Sequence, residues 1–397
     1  MIDFVATKAL FHLPPGIVYL DGNSLGPRPK AAMAGLTRVV EQEWGGELIR
    51  AWNSAGWMDK PRSVGDRIGR LIGAPAGSVV VGDTLSIKVF QALAAGLALR
   101  PGRKIILSDT GNFPSDLYMA QGLCQLLGNG ASLKTVAPEA IVSSIDAGVA
   151  IVMLTHVDYR SGRMHDMAAI TAAAQAAGAV MVWDLAHSAG AVEIDLGDSH
   201  AEFAVGCTYK YLNGGPGSPA FIYVRPDIAD SVQPALAGWL GHAQPFAFEL
   251  GYAPGRGIDR MRVGTPSILA LAALEASLDI WDQVEMRDVR ARSIELTELF
   301  ISEVKRHAPA LTLASPVDAT QRGSQVSFRH SQGYGAMRAL IDMGVIGDFR
   351  APDIMRFGFT PLYTDEDDVR TAARMAGAVI NEKRWSDAKY QRVLAVT

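Results

Sequence analysis

The fold is decided by residues 181–218, MVWDLAHSAGAVEIDLGDSHAEFAVGCTYKYLNGGPGS. An Ala-rich segment that ends in glycine precedes this stretch, so residues 181–183 are predicted to form a buried parallel strand entered from a crossover helix. Asp184 then stands at the carboxyl edge of the sheet, where open α/β folds bind ligands. Residues 204–208 predict a second short strand, which delivers Lys210 to the same edge.

Asp184 and Lys210 form a chemically meaningful pair if a ring cation lies between them. Pyridoxal phosphate needs a lysine for its Schiff base and an acid that keeps its ring nitrogen protonated. Each residue alone has an ordinary structural interpretation, as a helix-capping aspartate or as a surface-loop lysine. Their combination, in which DLAH is followed by a strand and by TYK before GGPG, favours this cofactor.

Five separated motifs extend the pattern in order along the chain: YLDGNSLG (19–26), GNFPSD (111–116), WDLAHSAG (183–190), CTYKYLNGGPG (207–217) and GWLGH (238–242). Through them the sequence resembles the fold-type-I pyridoxal-phosphate enzymes of the cysteine-desulfurase-like branch and, within that branch, the kynureninase family. The resemblance covers nearly the whole chain. It implies a hydrolase acting on carbon–carbon bonds that splits L-kynurenine into anthranilate and L-alanine, in tryptophan catabolism and NAD biosynthesis.

The resemblance also implies the architecture. We expect an α/β, transferase-like fold with a mostly parallel seven-stranded sheet domain and a smaller α+β C-terminal domain. Residues 1–50 should form an arm and a helix that belong to the small domain, residues 51–270 the large cofactor-binding domain, and residues 271–397 the C-terminal domain. The chain's length suits two domains.

Individual elements follow from periodicity. A helix is expected from residue 30 to 44, a strand at 219–224, and a long helical stretch at 267–306 with a polar joint near Met286. The resemblance implies that the strand at 219–224 runs antiparallel. The C-terminal lobe is predicted to contain strands at 311–315, 325–329, 345–350 and 354–359, and helices at 335–343 and 365–382.

A phosphate site is predicted where residues 79–81, an apolar strand, feed a helix through a short polar turn. Backbone N–H groups at such a helix start bind anions, which makes Leu85 and Ser86 the predicted cradle. A plain N-cap role for Thr84 or Ser86 is compatible with this. The full predicted cofactor set, most of it implied by the resemblance, is Leu85, Ser86, Phe113, Pro114, Ser115, Asp116, Thr155, Asp184, His187, Tyr209, Lys210, Trp239 and Thr265.

Roles within this set come from the resemblance. Lys210 is expected to hold the cofactor and move protons, with Tyr209 and Asp184 as the other catalytic residues. Phe113 should stack on the ring, and Trp239 should donate its indole N–H to the phosphate. Thr265 is expected to touch the phosphate of a neighbouring subunit, which requires a homodimer with shared active sites.

Arg356 is the predicted substrate-binding residue, because it lies in the otherwise apolar run 354–359. A buried arginine is costly unless it is paired. The α-carboxylate of the substrate is one natural partner, and an internal aspartate is the alternative. By resemblance, Trp52 is expected to form an aromatic substrate wall and Asn23 to contact the substrate from the N-terminal arm.

Composition excludes several other classes of protein. A net charge of −4 offers no basic surface for nucleic acid, and the absence of a long apolar run predicts no membrane span. The two cysteines are not in a CxxC pair, so neither a disulfide scaffold nor a metal site is expected. The N-terminus lacks a signal-peptide pattern, which together with the cysteine content favours a cytoplasmic protein.

The same motifs leave a small number of competing functions. A cysteine desulfurase needs a nucleophilic cysteine in the C-terminal half, and none follows Cys207. An aminotransferase of the same branch is a second possibility. A non-catalytic relative that keeps the fold is a third, and intact Lys210 and Asp184 disfavour it. A nicotinamide enzyme is disfavoured because no GxGxxG follows the first strand.

Overall fold

The computed structural model describes residues 3–392 and Leu394. Its strands are β1 Val18–Tyr19, β2 Val79–Val81, β3 Ile105–Asp109, β4 Ser132–Val136, β5 Val149–Thr155, β6 Val180–Asp184, β7 Phe203–Gly206, β8 Phe221–Val224, β9 Thr312–Leu313, β10 Gln325–Arg329, β11 Val345–Ile346, β12 Asp348–Arg350 and β13 Ile354–Gly358.

The α-helices of the same part of the chain are α1 Phe4–Lys8, α2 Ala32–Thr37, α3 Ala51–Ser54, α4 Lys60–Leu71, α5 Leu85–Ala98, α6 Pro114–Leu127, α7 Met167–Ala176, α8 Leu196–Ser199, α9 Pro226–Ala229, α10 Ile268–Trp281, α11 Met286–His307, α12 Gly333–Asp342, α13 Glu366–Asn381 and α14 Ala388–Gln391. A π-helix spans Arg38–Glu47, and short 3₁₀ turns cover Leu48–Arg50, Pro138–Ala140, Val142–Ser144, Trp239–Gly241, Gly257–Met261, Ala319–Gln321 and Arg384–Ser386.

The large sheet has seven strands in the order β2-β8-β7-β6-β5-β3-β4. Strand β8 runs antiparallel to both of its neighbours, and the remaining pairings are parallel. The predicted fold class is therefore confirmed, including the antiparallel strand near residue 220. Strand β4 is absent from the sequence prediction because it lies at the sheet edge, half-exposed and with few apolar residues.

Helices cover both faces of this sheet. Successive side chains of β6 point to opposite faces, so Met181 and Trp183 join one buried core while Val180 and Val182 join the other. Full burial on both faces explains why β5 and β6 are continuous apolar runs. The carboxyl ends of these two strands carry the candidate site.

The C-terminal lobe is built on a four-stranded antiparallel sheet in the order β12-β13-β10-β9, with α11, α12 and α13 packed in its core. The N-terminal arm joins this lobe, because β1 pairs in parallel with β11. None of the helices in the described range combines the length and apolarity that a membrane crossing requires.

Two predicted elements differ from the structure. The predicted strand 345–350 is wrong as one element: it divides at Gly347 into β11 and β12, which belong to different sheets. A Cβ at Gly347 would lie 2.6 Å from the carbonyl oxygen of Arg356, so only glycine allows this approach. The predicted helix 30–44 begins at Ala32 and continues as the π-helix to Glu47.

The long helical stretch breaks between α10 and α11, next to the predicted joint at Met286. The buried side chains of α10, among them Leu274 and Trp281, lie in the core of the large sheet. These side chains therefore extend the large-sheet core beyond residue 270. The boundaries predicted from the sequence, at residues 50 and 270, stay predictions. The outermost residues of the predicted domains, 1–2, 393 and 395–397, lie outside the described residues.

Candidate active site

The site begins where β5 and β6 end side by side. Thr155 and Asp184 are partners in the parallel register, and the Thr155 hydroxyl oxygen lies 3.4 Å from Asp184 Oδ2. The Ala186 backbone N–H donates to Asp184 Oδ1 at 2.8 Å. Asp184 is 2% exposed, so a carboxyl group is held in a fixed orientation away from water.

A second carboxyl group, Asp116, hydrogen-bonds to Asp184 from the first turn of α6. Burial raises the pKa of Asp116 well above its ordinary range, and the negative charge of Asp184 raises it further. Burial also raises the pKa of Asp184, although Lys210 opposes this. Both shifts favour the neutral carboxyl form, most strongly at Asp116, whose Oδ2 has no hydrogen-bond partner among the described residues.

Lys210 lies on the turn after β7, with its Nζ 3.0 Å from Nε2 of His187. The same Nζ lies 5.9 Å from the ring centre of Phe113 and 5.7 Å from that of Tyr209. Burial and the neighbouring Lys210 charge hold the pKa of His187 well below its ordinary value. A neutral imidazole can accept a hydrogen bond from the lysine ammonium through Nε2.

The start of α5 lies open to an anion. Thr84 occupies the N-cap position but makes no side-chain capping bond, so the first N–H groups of the helix, at Leu85 and Ser86, lack that partner. The Ser86 hydroxyl lies 3.1 Å from the hydroxyl of Ser115, at the start of α6. Two helix starts thus converge on one point, which is the arrangement expected of a phosphate site.

Phe113 and Pro114 lead into α6 at this point. Phe113 is 40% exposed and packs edge to face on Tyr159, with ring centres 5.1 Å apart. Asn112 holds this corner, because its Oδ1 accepts from the Phe113 N–H at 2.7 Å and from the Thr155 hydroxyl. Sequence reasoning missed both Asn112, which lies inside the GNFPSD motif, and Tyr159, which lies four positions after the predicted residue Thr155.

Arg356 enters from the C-terminal lobe on β13 and is 2% exposed. Its Nε donates to Asp348 Oδ1 at 2.5 Å, and Nη2 donates to the other Asp348 oxygen. Its Nη1 donates to the Tyr159 carbonyl at 2.5 Å. The internal aspartate that was the alternative partner of Arg356 is therefore present as Asp348, eight positions earlier.

The N-terminal arm closes the same corner. Ser24 donates to Asp348 Oδ2 at 2.6 Å and accepts from Arg356 Nη2 at 3.1 Å. Asn23 is buried and donates to Gln325 at 3.4 Å, while its Oδ1 has no partner among the described residues. Asn23 thus keeps one acceptor available beside the Arg356 cluster.

Three predicted residues lie elsewhere in the single chain. Trp52 packs edge to face on Trp57 with ring centres 5.6 Å apart, in a small apolar cluster. Thr265 is exposed, and Trp239 packs on the exposed ring of Phe246. None of the hydrogen bonds or ring contacts within the described chain joins these three residues to Lys210.

Metal ions in proteins are held by characteristic groupings of side chains. Across residues 3–392, no group of three or more His, Cys, Asp or Glu side chains is arranged to hold a metal ion. The polar groups that converge are instead an amine, a neutral imidazole, a buried pair of carboxyl groups and an open helix start.

Solved structures with the same fold include a cysteine desulfurase from Thermococcus onnurineus NA1, with a TM-score of 0.80 at 19% identity over 96% of this chain and 99% of that chain. A cysteine desulfurase from Escherichia coli matches with a TM-score of 0.79 at 18% identity over 96% and 99%. At these identities the similarity shows the fold alone.

Sequence relatives are much closer. The kynureninase of Pseudomonas fluorescens is 50% identical over 98% of this chain and 95% of its own length. The kynureninase of Deinococcus radiodurans is 48% identical over 94% of this chain and 93% of its own length. The kynureninase of Burkholderia pseudomallei is 46% identical over 98% of this chain and 95% of its own length. Residues 289–375 match the family model of the kynureninase C-terminal domain. The chain therefore belongs to the kynureninase family.

Proposed function

We propose that this protein is a kynureninase, which hydrolyses the Cβ–Cγ bond of L-kynurenine to anthranilate and L-alanine with pyridoxal 5′-phosphate as cofactor. The observation that carries the proposal is the placement of Lys210 and His187 at the same sheet edge as the buried Asp184–Asp116 pair. The family membership supports the substrate.

The unpaired groups of the site fit this cofactor. Because burial and the charge of Asp184 favour a neutral Asp116, the pair offers the Asp184 carboxylate to one cation, and a protonated ring nitrogen is such a cation. The open start of α5, with Leu85 and Ser86, fits a phosphate. Lys210 Nζ lies near the exposed ring of Phe113, where an aromatic aldehyde could stack and be tethered.

When bound, pyridoxal phosphate supplies the electron sink that stabilises negative charge at the substrate Cα. Asp184 would hold a proton on the ring nitrogen and thereby keep that sink effective. Thr155 and the Ala186 amide keep Asp184 oriented. Asp116, whose raised pKa favours its protonated form, donates a hydrogen bond to Asp184 and adds no second negative charge to the buried site.

Lys210 would hold the cofactor aldehyde, and its amine, when free, would serve as the base and acid at the substrate Cα. His187 accepts from Lys210 and holds the lysine side chain within the site. Burial raises the pKa of Tyr209, so its phenol stays protonated and donates to the phosphate. One water molecule is consumed: its oxygen ends in the anthranilate carboxylate, and alanine leaves after protonation at Cβ.

Arg356 is the residue that binds the substrate α-carboxylate, with Asn23 beside it. The Asp348 pair takes one edge of the guanidinium, so the carboxylate is expected at the Nη1 side near Tyr159. Fixing the carboxylate and the amine at opposite ends of the small substrate holds the Cα–H bond in line for proton transfer.

The active form is proposed to be a homodimer with shared sites. Thr265 and Trp239 are solvent-exposed in the single chain. Trp239 belongs to a surface with exposed Phe246, Phe248 and Leu250. An apolar surface of this kind favours a protein partner. In such a dimer, Thr265 and Trp239 are proposed to reach the neighbouring phosphate, and Trp52 is proposed to contact a substrate ring.

The direct test incubates purified protein and cofactor with L-kynurenine and, separately, with 3-hydroxykynurenine. We expect rising anthranilate fluorescence and stoichiometric alanine from kynurenine. Failure to cleave either compound while the cofactor is bound would refute the proposal. Conversion of the cofactor to its amine form by a keto-acid exchange would instead identify an aminotransferase. A desulfurase is disfavoured because no cysteine follows buried Cys207.

A further inference from the structure

Helix α5 contains a fully buried lysine, Lys88, which is 1% exposed. Its ammonium group makes three hydrogen bonds: to Asp83 Oδ2 at 3.0 Å, to Gln91 Oε1 at 2.9 Å and to the Met261 carbonyl at 3.2 Å. All three of its N–H bonds are thus used. A charged group this deeply buried is maintained only where its partners satisfy it, so the arrangement is specific and costly to disturb.

The first of these bonds controls the turn that precedes the helix. A helical side chain points back toward the N-terminus, which lets Lys88 reach a residue in front of its own helix. That residue, Asp83, has a left-handed backbone with φ of +58°. The Asp83 carbonyl accepts from the N–H of Ala220, the residue before β8, at 3.0 Å. Asp83 is therefore held by Lys88 through its side chain and by Ala220 through its backbone. The N–H groups of Leu85 and Ser86 follow directly from this turn.

The third bond reaches a different segment. The Met261 carbonyl accepts from Lys88 and from Gln91 Nε2, the latter at 3.2 Å. Met261 ends a 3₁₀ turn, and residues 262–265 follow it. This is the segment whose Thr265 is proposed to reach the phosphate of a second subunit. One ammonium group therefore connects both phosphate-contacting parts of the chain.

We propose that Lys88 is a positioning residue for the cofactor phosphate. It holds the 82–86 turn and the 261–265 segment at a fixed separation. The position of a subunit's own phosphate cradle and the position of the Thr265 that it offers to the neighbouring site therefore depend on the same side chain. Because its N–H groups are all engaged, Lys88 acts through these segments and does not bind the phosphate itself. This inference rests on the proposed function.

The test compares cofactor binding by the wild-type protein and Lys88→Met, using pyridoxal 5′-phosphate and its dephosphorylated form, pyridoxal. A positioning role at the phosphate predicts at least a tenfold weaker Kd for the phosphorylated form, with the Kd for pyridoxal changed less than twofold. Equal losses for both ligands, or no loss for either, would overturn the proposal. Wild-type protein that binds neither ligand would instead refute the proposed function.

Two further variants keep the result interpretable. Lys134→Met removes an exposed lysine on β4 and should leave both Kd values unchanged. Asp83→Asn removes the charge of the lysine's partner while keeping a side chain that tolerates the left-handed backbone. If Lys88→Met does not fold, Asp83→Asn decides: a threefold or larger loss confined to the phosphorylated ligand supports the proposal, and an unchanged ratio of the two Kd values overturns it.

Discussion

Arg356 and Asp348 face each other in register on neighbouring antiparallel strands, β13 and β12, with Arg356 Nε 2.5 Å from Asp348 Oδ1. Although burial acts to raise it, the hydrogen bonds and charge of Arg356 hold the pKa of Asp348 below its ordinary value. The same guanidinium binds Tyr159 of the large domain and Ser24 of the arm. One buried ion pair therefore joins three separate parts of the chain beside the active site.

Removing this arginine should affect the substrate more than the cofactor. For Arg356→Gln we expect the KM for kynurenine to rise by roughly 10–100-fold, since hydrogen bonds between charged groups contribute about 1.5–3 kcal/mol each. Steady-state kinetics, with cofactor content measured in parallel, check this. Arg329→Gln removes an exposed arginine of the same sheet and is the control. An unchanged KM would contradict the carboxylate role.

Lys210→Ala should abolish turnover. Loss of the amine removes both the tether of the aldehyde and the group that moves the Cα proton, so kcat should fall by at least ~10³-fold. The visible absorption of the lysine-bound cofactor should disappear, which a simple spectrum measures. Exposed Lys134→Ala is the matched control. Full activity in the Lys210 variant would show that another amine carries the reaction.

Asp184→Asn tests the ring-nitrogen contact with a change of one atom. We expect kcat to fall by about 10²–10⁴-fold, because the developing charge loses its electrostatic support. The KM should change little, since Arg356 still holds the substrate carboxylate. Asp195→Asn, at an exposed helix cap, provides the comparison. A variant with a wild-type kcat would exclude Asp184 from catalysis.

Mixing inactive variants tests the shared sites. Lys210→Ala and Thr265→Asp should each be inactive alone, the second because a carboxylate would repel the phosphate. After dissociation and re-association in equal amounts, half of the dimers are mixed and each has one intact site, which predicts about a quarter of wild-type activity for a two-fold dimer. If re-associated mixtures stay inactive, each subunit completes its own site.

The raised pKa of Asp21 predicts that the free energy of unfolding depends on pH. Burial and the charge of Asp348 raise its pKa from 3.8 to about 7 in the folded protein. The folded protein therefore binds this proton more tightly than the unfolded chain, so its stabilising contribution is complete below pH 4 and is lost as the pH rises toward 7. Asp21→Asn should remove this slope, and its stability relative to wild type should increase by roughly 1–4 kcal/mol between pH 4 and 8.

Denaturant unfolding at pH 5 and pH 8 measures this difference. Exposed Asp367→Asn should retain the wild-type slope. Parallel pH profiles for wild type and Asp21→Asn would contradict the prediction.

The strands that end at Thr155 and Asp184 could be predicted because their signals are local: a continuous apolar run marks a strand buried on both faces, and the polar residue after it marks the sheet edge. The same holds for Lys210 on the following turn and for the helix start at Leu85. Sequence alone thereby determined the fold class, the positions of Asp184 and Lys210 at one sheet edge, and the presence of a buried arginine that needs a partner.

Tertiary structure decided the choices that depend on distant residues. The partner of Arg356 is Asp348 because the strands divide at Gly347 and then align in register, which no local pattern encodes. Helix α10 joins the large-sheet core, and Trp52 rests on Trp57 within one chain, because apolar surfaces pack against whichever core lies nearest in space. The hydrophobic effect is non-directional. The sequence therefore determines which side chains must be buried, and only the folded chain determines which residues they pack against.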